Sequence, residues 1–160
     1  MTNVRTGDHV SDAAANNDDT HAQELARRTA EFLIGRDQMS RTLVIKIMQM
    51  RPGYAQVSML VRADMVNGHG SCHGGVLFSL ADSAFAFACN SYNAITVAAA
   101  ATIDFLVPAM QGDQLIAVAT EVWRSRRSGV YDVSLKNQRD ERIALFRGRS
   151  HQLDGKLIND

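Results

Sequence analysis

Residues 67–90 read NGHGSCHGGVLFSLADSAFAFACN, and what this stretch becomes decides the fold of everything around it. Its first nine residues, Asn67 to Gly75, contain four glycines and read as a loop. From Val76 to Asn90 the run is rich in Ala, Leu and Phe, and only Ser79, Asp82 and Ser83 interrupt the apolar residues before Asn90. Fifteen residues make an improbable strand, and a segment apolar on nearly every side predicts a helix buried on most of its faces. Such a helix needs a covering layer.

The flanking sequence offers that layer. Upstream, Thr42 to Met50 (TLVIKIMQM) is rich in β-branched and long apolar side chains and predicts a strand. Pro52-Gly53 supplies positions i+1 and i+2 of a type II turn. Tyr54 to Arg62 then alternates Ala55, Val57, Met59 and Val61 against Tyr54, Gln56, Ser58 and Leu60, the second arm of a hairpin. Downstream, Ile95 to Val107, Leu115 to Arg124, Val130 to Asn137 and Arg142 to Gln152 predict four more strands. Pro108, RSRRSG and NQRDE mark the turns between them. Short connections favour antiparallel pairing, because parallel neighbours need crossovers of about a dozen residues. The expected architecture is α+β, a curved antiparallel sheet wrapped around a long central helix.

Thr20 to Ile34 carries Leu25, Ala26, Phe32 and Leu33 at helical spacing, with Thr20 as an N-cap candidate and Gly35 as a stop. Residues 1–19 are polar and read as a disordered leader, leaving 20–160 as a single domain. A chain of 160 residues, 46% hydrophobic, supplies one core of useful size. Its 17 basic and 17 acidic side chains cancel, which gives no overall field for nucleic acid or a membrane surface. No apolar run reaches the roughly 18 residues of a membrane span, and the N-terminal residues hold no apolar signal core. Cys72 and Cys89 form neither a CxxC pair nor a framework, so free thiols and a cytoplasmic location are expected.

Asp82 is the residue that needs explaining. A carboxylate midway along a buried helix costs several kcal/mol unless it is hydrogen-bonded, paired or facing a cavity. It reads either as a structural Asp bonded to a backbone amide or an Arg, or as a general base or nucleophile whose pKa is raised by apolar surroundings. The glycines ahead of the helix supply a second element. Gly74 and Gly75 lack side chains, so a substrate oxygen can approach the first free N–H groups at the positive end of the helix dipole. Such donors stabilise the oxyanion that forms when a carbonyl is attacked; an ordinary glycine-rich helix start is the plainer reading. Asp82 lies eight residues beyond Gly74, about 12 Å along one helix. A carbonyl carbon and its oxygen are little more than a bond apart. If both residues serve one carbonyl, they come from different copies of the chain, and the active site is shared across a dimer.

Asn67 carries a donor and an acceptor for a water or a substrate carbonyl. His73 reads equally as a donor to that carbonyl and as a helix cap. His69, Cys72 and His73 fall within five residues, but they lack a nearby fourth ligand and match no structural zinc spacing, so no metal is expected. Arg124, Arg126 and Arg127 cluster in one turn, and Arg147 and Arg149 recur at period two on the last strand. These are candidates for phosphate binding, with a solvated basic turn as the alternative.

Taken together, NGHGSCHGGVLFSLADSAFAFACNS, TIDFLVPA, SGVYDVSLKNQ and ALFRGRSHQL closely resemble the PaaI family of phenylacetic-acid-degradation thioesterases in the hotdog-fold superfamily. The resemblance runs from about Ala30 to the C-terminus, and the combination of HGG with LAD seven residues beyond its His is specific. It implies the hotdog fold, homodimers pairing into homotetramers, an acyl-CoA substrate, and neither cofactor nor metal. Asp82 would be the family's catalytic carboxylate and Gly74 its backbone donor. Asn67 would be the loop amide that positions water or substrate, and His73 the motif histidine. The implied substrates are ring-hydroxylated phenylacetyl-CoA and related aryl-acetyl thioesters. Related branches place a Ser or Thr across the dimer interface; here Ala86 and Ala100 stand at the expected places, with Thr96 and Thr102 as remaining candidates.

Two alternatives remain at this point. A hotdog dehydratase acting on 3-hydroxyacyl thioesters would carry a His-Phe-Pro loop, which is absent. A non-catalytic acyl-CoA-binding module on the same fold would have no use for a buried carboxylate at Asp82.

Overall fold

The computed structural model describes residues 10–159, with side chains from Asp18 onward. Helix α1 (Val10–Arg36) begins ten residues before the predicted start, so Thr20 is interior. Residues 10–19 are therefore helical, where a disordered leader was expected; residues 1–9 of that leader lie outside the described residues. Nor does Gly35 end the helix. The break falls at Asp37, whose carboxylate accepts the Ser40 N–H at 3.1 Å and caps a short second helix, α2 (Gln38–Thr42).

Thr42 is thus the last residue of α2, and strand β1 (Lys46–Arg51) starts four residues later than its β-branched sequence suggests. Leu43 and Ile45 are buried at this junction, and the Ile45 N–H donates to the Ser40 carbonyl at 2.9 Å. A capped turn anchored by two buried side chains outweighs local strand propensity. Gly53, at φ 68°, takes the positive-φ place of the turn into β2 (Tyr54–Leu60). The predicted alternation holds in β2, where Ala55, Val57 and Met59 are all buried.

After a 3-10 turn at Ala63–Met65 comes α3 (Gly74–Asn90), followed by β3 (Ala94–Phe105), β4 (Gln114–Arg124), β5 (Ser128–Lys136) and β6 (Arg142–Lys156). The six strands form one antiparallel sheet in the order β1-β2-β4-β5-β6-β3. β4, β5 and β6 are the expected hairpins, but β3 does not pair with β4. It lies at the far edge against β6, and the chain between Leu106 and Asp113 carries it back to the sheet centre.

The sheet wraps α3, which packs against five of the six strands. Four rings make the seat: Phe78 meets Phe146 edge-on at 5.4 Å, and Phe85 meets Tyr131 at 5.5 Å and Phe146 at 5.9 Å. Such contacts add about 0.5–1.5 kcal/mol each beyond simple burial. Gly148 makes the close approach possible, since a Cβ there would lie 2.9 Å from the Phe85 ring. Helix α1 packs against β1 and against α3, with Ala26, Thr29 and Ala30 fully buried. The other edge, β3, has no covering element among the described residues, and Val97 to Ala100 are exposed.

Candidate active site

The start of α3 is built by its own loop. The His73 backbone donates to the Met65 carbonyl at 2.8 Å, which fixes where the helix begins. His73 is the N-cap: its Nδ1 accepts the Gly75 N–H at 3.0 Å. An accepting Nδ1 places the proton of a neutral imidazole on Nε2, which remains able to donate. The Val76 and Leu77 N–H groups both reach the His73 carbonyl, at 2.9 and 3.2 Å. Among the described residues, the Gly74 N–H is the one donor of this first turn with no acceptor. It stands at the positive end of a 17-residue helix.

Asn67 turns its amide inward. Its Oδ1 accepts the His69 N–H at 2.9 Å and the Ser71 N–H at 3.3 Å, and its Nδ2 donates to Ser71 Oγ at 3.2 Å. One Nδ2 hydrogen is left for a ligand. Asn67 and Gly74 meet in one cavity of about 400 Å³, walled otherwise by Cys72, Leu77 and the segment Phe105–Ala109. That wall is pinned by backbone: Leu106 N–H donates to the Ile143 carbonyl at 2.9 Å, and Cys72 N–H to the Ala109 carbonyl at 2.7 Å. Behind it, buried Asp113 accepts from the Met110 N–H at 2.9 Å, Gln138 Nε2 at 2.9 Å and Arg139 Nη1 at 3.0 Å. Burial pulls the Asp113 pKa upward, yet these bonds hold its carboxyl below the usual range.

Asp82 does not line this cavity. It is half-buried, and no described residue offers it a hydrogen bond or an ion pair. The hydrogen-bonded structural Asp is therefore not what one chain contains. Burial pushes its carboxyl above the ordinary range, and the neighbouring carboxylate of Asp37 adds to the shift. Asp37 is a feature that reading the sequence missed. It connects to the central helix through Ser40, whose Oγ donates to Asp37 Oδ2 at 2.5 Å and lies 3.0 Å from Ser83 Oγ. A D-x-x-S pattern just after a helix was its only local signal.

His69, Cys72 and His73 do not converge: both histidines are exposed, Cys72 is buried, and burial pushes its thiol up to about 11. Among the described residues no three His, Cys, Asp or Glu side chains gather as a metal site. The arginines are dispersed. Arg124 stacks on Tyr92 at 3.8 Å and reaches Glu121 at 3.4 Å. Arg127 pairs with Asp154 at 3.0 Å, and Arg147 grips Asp132 at 2.6 and 2.7 Å. Exposed Arg126 and Arg149 carry no ion pair among the described residues. The β4–β5 turn lies at the Tyr92 end of α3, about 24 Å along the helix from Gly74. Ala86 is half-buried on α3; on β3, Ala100 and Thr102 are exposed and Thr96 is half-buried.

Residues 69–144 match the model of the thioesterase superfamily. The chain is 47% identical to the Escherichia coli acyl-coenzyme A thioesterase PaaI over 84% of its own length and 96% of that protein's. The structure of that protein, from the phenylacetic acid degradation operon, superposes with a TM-score of 0.83 over 84% of this chain and 98% of the other. Phenylacetic acid degradation protein PaaI of Thermus thermophilus, in a mutant form, gives 38% identity and a TM-score of 0.71 over 73% of this chain and 100% of its own. A Streptococcus mutans protein bound to acetyl CoA gives 25% identity and a TM-score of 0.67, covering 70% and 90% of the two chains. Shared over nearly its whole folded length with PaaI, this chain belongs to the acyl-CoA thioesterases of the hotdog fold.

Proposed function

We propose that the protein hydrolyses aryl-acetyl-CoA thioesters of the phenylacetyl and hydroxyphenylacetyl class to the free acid and CoA, in the catabolism of phenylacetate. The observation that carries the reading is the unused N–H of Gly74, a residue that lines a cavity of about 400 Å³ with a largely apolar wall. The substrate class rests on the likeness to PaaI.

In this reading the thioester oxygen accepts the Gly74 N–H, which stabilises the charge that grows there during attack. Asp82 of the partner subunit supplies the carboxylate. It either adds to the carbonyl carbon, giving an acyl–aspartyl anhydride that water then hydrolyses to the free acid, or takes a proton from the attacking water; in both cases the C–S bond breaks and CoA leaves with the sulfur's electron pair and takes up a proton. A raised pKa suits a base that must accept a proton near neutral pH. The unpaired edge of β3 supports a dimer, since 12 residues of open strand edge are a template for a second copy. Two such dimers assemble as a homotetramer. Asn67 and the His73 Nε2–H orient water or the thioester oxygen. Of the five arginines, Arg126 and Arg149 are unencumbered and are assigned to the CoA phosphates, with Arg124, Arg127 and Arg147 able to exchange a surface carboxylate for a phosphate. No described helix is long and apolar enough to cross a membrane, and we place the enzyme in the cytoplasm.

Subunit mixing tests the shared site. Asp82→Ala and Gly74→Pro, which removes the donor N–H, are each inactive alone. In a hybrid dimer one site carries both lesions and the other carries none, so activity returns on exchange. Hybrids shown to form, yet inactive, overturn the shared site. The acyl class is tested separately: higher kcat/KM for palmitoyl-CoA than for phenylacetyl-CoA overturns it.

A further inference from the structure

Phe105 ends β3 directly over the start of α3. A methyl group placed on Gly74 would lie 3.1 Å from Phe105 Cζ and 3.5 Å from both Cε1 and Cε2. The tip of the ring therefore points at the glycine whose N–H is unused. The ring is a large apolar group left 54% exposed in a single chain, and it forms part of the cavity wall beside Leu106, Val107 and Leu77. The backbone behind it is held, with Phe105 paired to Ala144 and the next N–H on the Ile143 carbonyl. The ring is consequently presented on a fixed strand end. Gly74 and Phe105 line the same cavity, so an acyl group whose carbonyl oxygen sits on the Gly74 N–H enters a space that the ring helps to wall.

We propose that Phe105 is a specificity-determining residue, the aromatic wall against which the acyl group lies, favouring flat rings over flexible aliphatic chains. A rigid aromatic partner gains offset or edge-on contact with Phe105 and loses little conformational freedom, whereas an alkyl chain must be ordered to make the same contact. The inference rests on the assignment of the Gly74 cavity as the acyl site, and it goes beyond that assignment by naming what reads the acyl group.

The experiment compares kcat/KM for phenylacetyl-CoA and hexanoyl-CoA in the wild-type protein and in Phe105→Ala, Phe105→Leu and Phe105→Tyr. The quantity read is the phenylacetyl-to-hexanoyl ratio. It should fall about tenfold in Phe105→Ala, carried mainly by KM for the aromatic substrate, fall less in Phe105→Leu, and stay within about threefold in Phe105→Tyr. An equal loss on both substrates, or a ratio unchanged in both Phe105→Ala and Phe105→Leu, overturns the proposal. Should Phe105→Ala fail to fold, the Leu and Tyr variants decide it alone. A wild-type protein that prefers hexanoyl-CoA would sink the aryl-acetyl reading, while Phe105 would still stand or fall on whether the ratio moves.

Discussion

At the C-terminal end of α3 the Asn90 side chain closes three hydrogen bonds to backbone, whereas at the N-terminal end the Gly74 N–H closes none. Asn90 donates to the Ala86 and Thr96 carbonyls at 2.9 and 2.8 Å and accepts the Thr96 N–H at 2.9 Å. Next to it Ser91 Oγ donates to the Ala88 carbonyl and accepts the Gly53 N–H, both at 2.7 Å. The cavity at that end is about 10 Å³, against about 400 Å³ at Gly74. One helix thus has a sealed end and an open end. A buried unmade hydrogen bond costs about 1–3 kcal/mol, so the sealed end contributes stability. The open end holds a donor in readiness, and the isolated carboxylate of Asp82 stands between them.

If that division is correct, substitutions should separate cleanly. The largest effect belongs to Asp82→Ala, which should lower kcat by 10²-fold or more with the far-UV spectrum unchanged; retention of a tenth of wild-type turnover would contradict it. Gly74→Pro should cost about 10²- to 10³-fold in kcat, the usual worth of a lost oxyanion donor, without lowering the unfolding midpoint by a comparable measure. Asn90→Ala should do the reverse. It strands the Thr96 amide and should lower stability by about 2–4 kcal/mol in urea melts, while turnover per folded molecule stays within a few-fold. Equal losses of activity from both ends would abolish the comparison.

The smallest effect concerns pH. The folded-state pKa of Asp82 is raised above its unfolded value, so its ionised form opposes folding. That penalty is complete above the raised folded pKa and disappears below the unfolded value near 4. Asp82→Asn should therefore raise Tm slightly at pH 7 and leave it unchanged near pH 3. A Tm gain that grows on acidification would contradict the sign. The acid limb of the pH–rate profile should likewise fall above the ordinary carboxylate range.

Periodicity explains what could be read in advance. The all-apolar run of α3 and the alternation of β2 are local patterns, and both elements lie where their residues place them. Strand order is not local. Nothing in AITVAAAATIDF says that its partner is β6, since pairing is decided by contacts far apart in the sequence. The Thr42–Ile45 segment misled for a related reason: its β-branched residues are overruled by the Asp37 cap and a burial set by the rest of the molecule. Chemical type drew attention to Asp82, Gly74, Asn67 and His73; of these, Gly74 and Asn67 line one cavity within a single chain and Asp82 does not. The inward turn of the Asn67 amide and the ring of Phe105 over Gly74 depend on loop geometry, which carries no periodic signal.

The pairing of β3 with the last strand also matters while the chain is being made. Partner residues in this ladder are separated by between 39 residues (Phe105 to Ala144) and 62 residues (Ala94 to Lys156). At synthesis rates of about 5–20 residues per second, β3 waits several seconds after leaving the ribosome before β6 exists to meet it. Alanine is a weak strand former, and five of its twelve residues are alanine. The run Ala98–Ala101 therefore weakens the middle of the waiting segment as a partner for other nascent chains during the seconds before β6 arrives to pair with it.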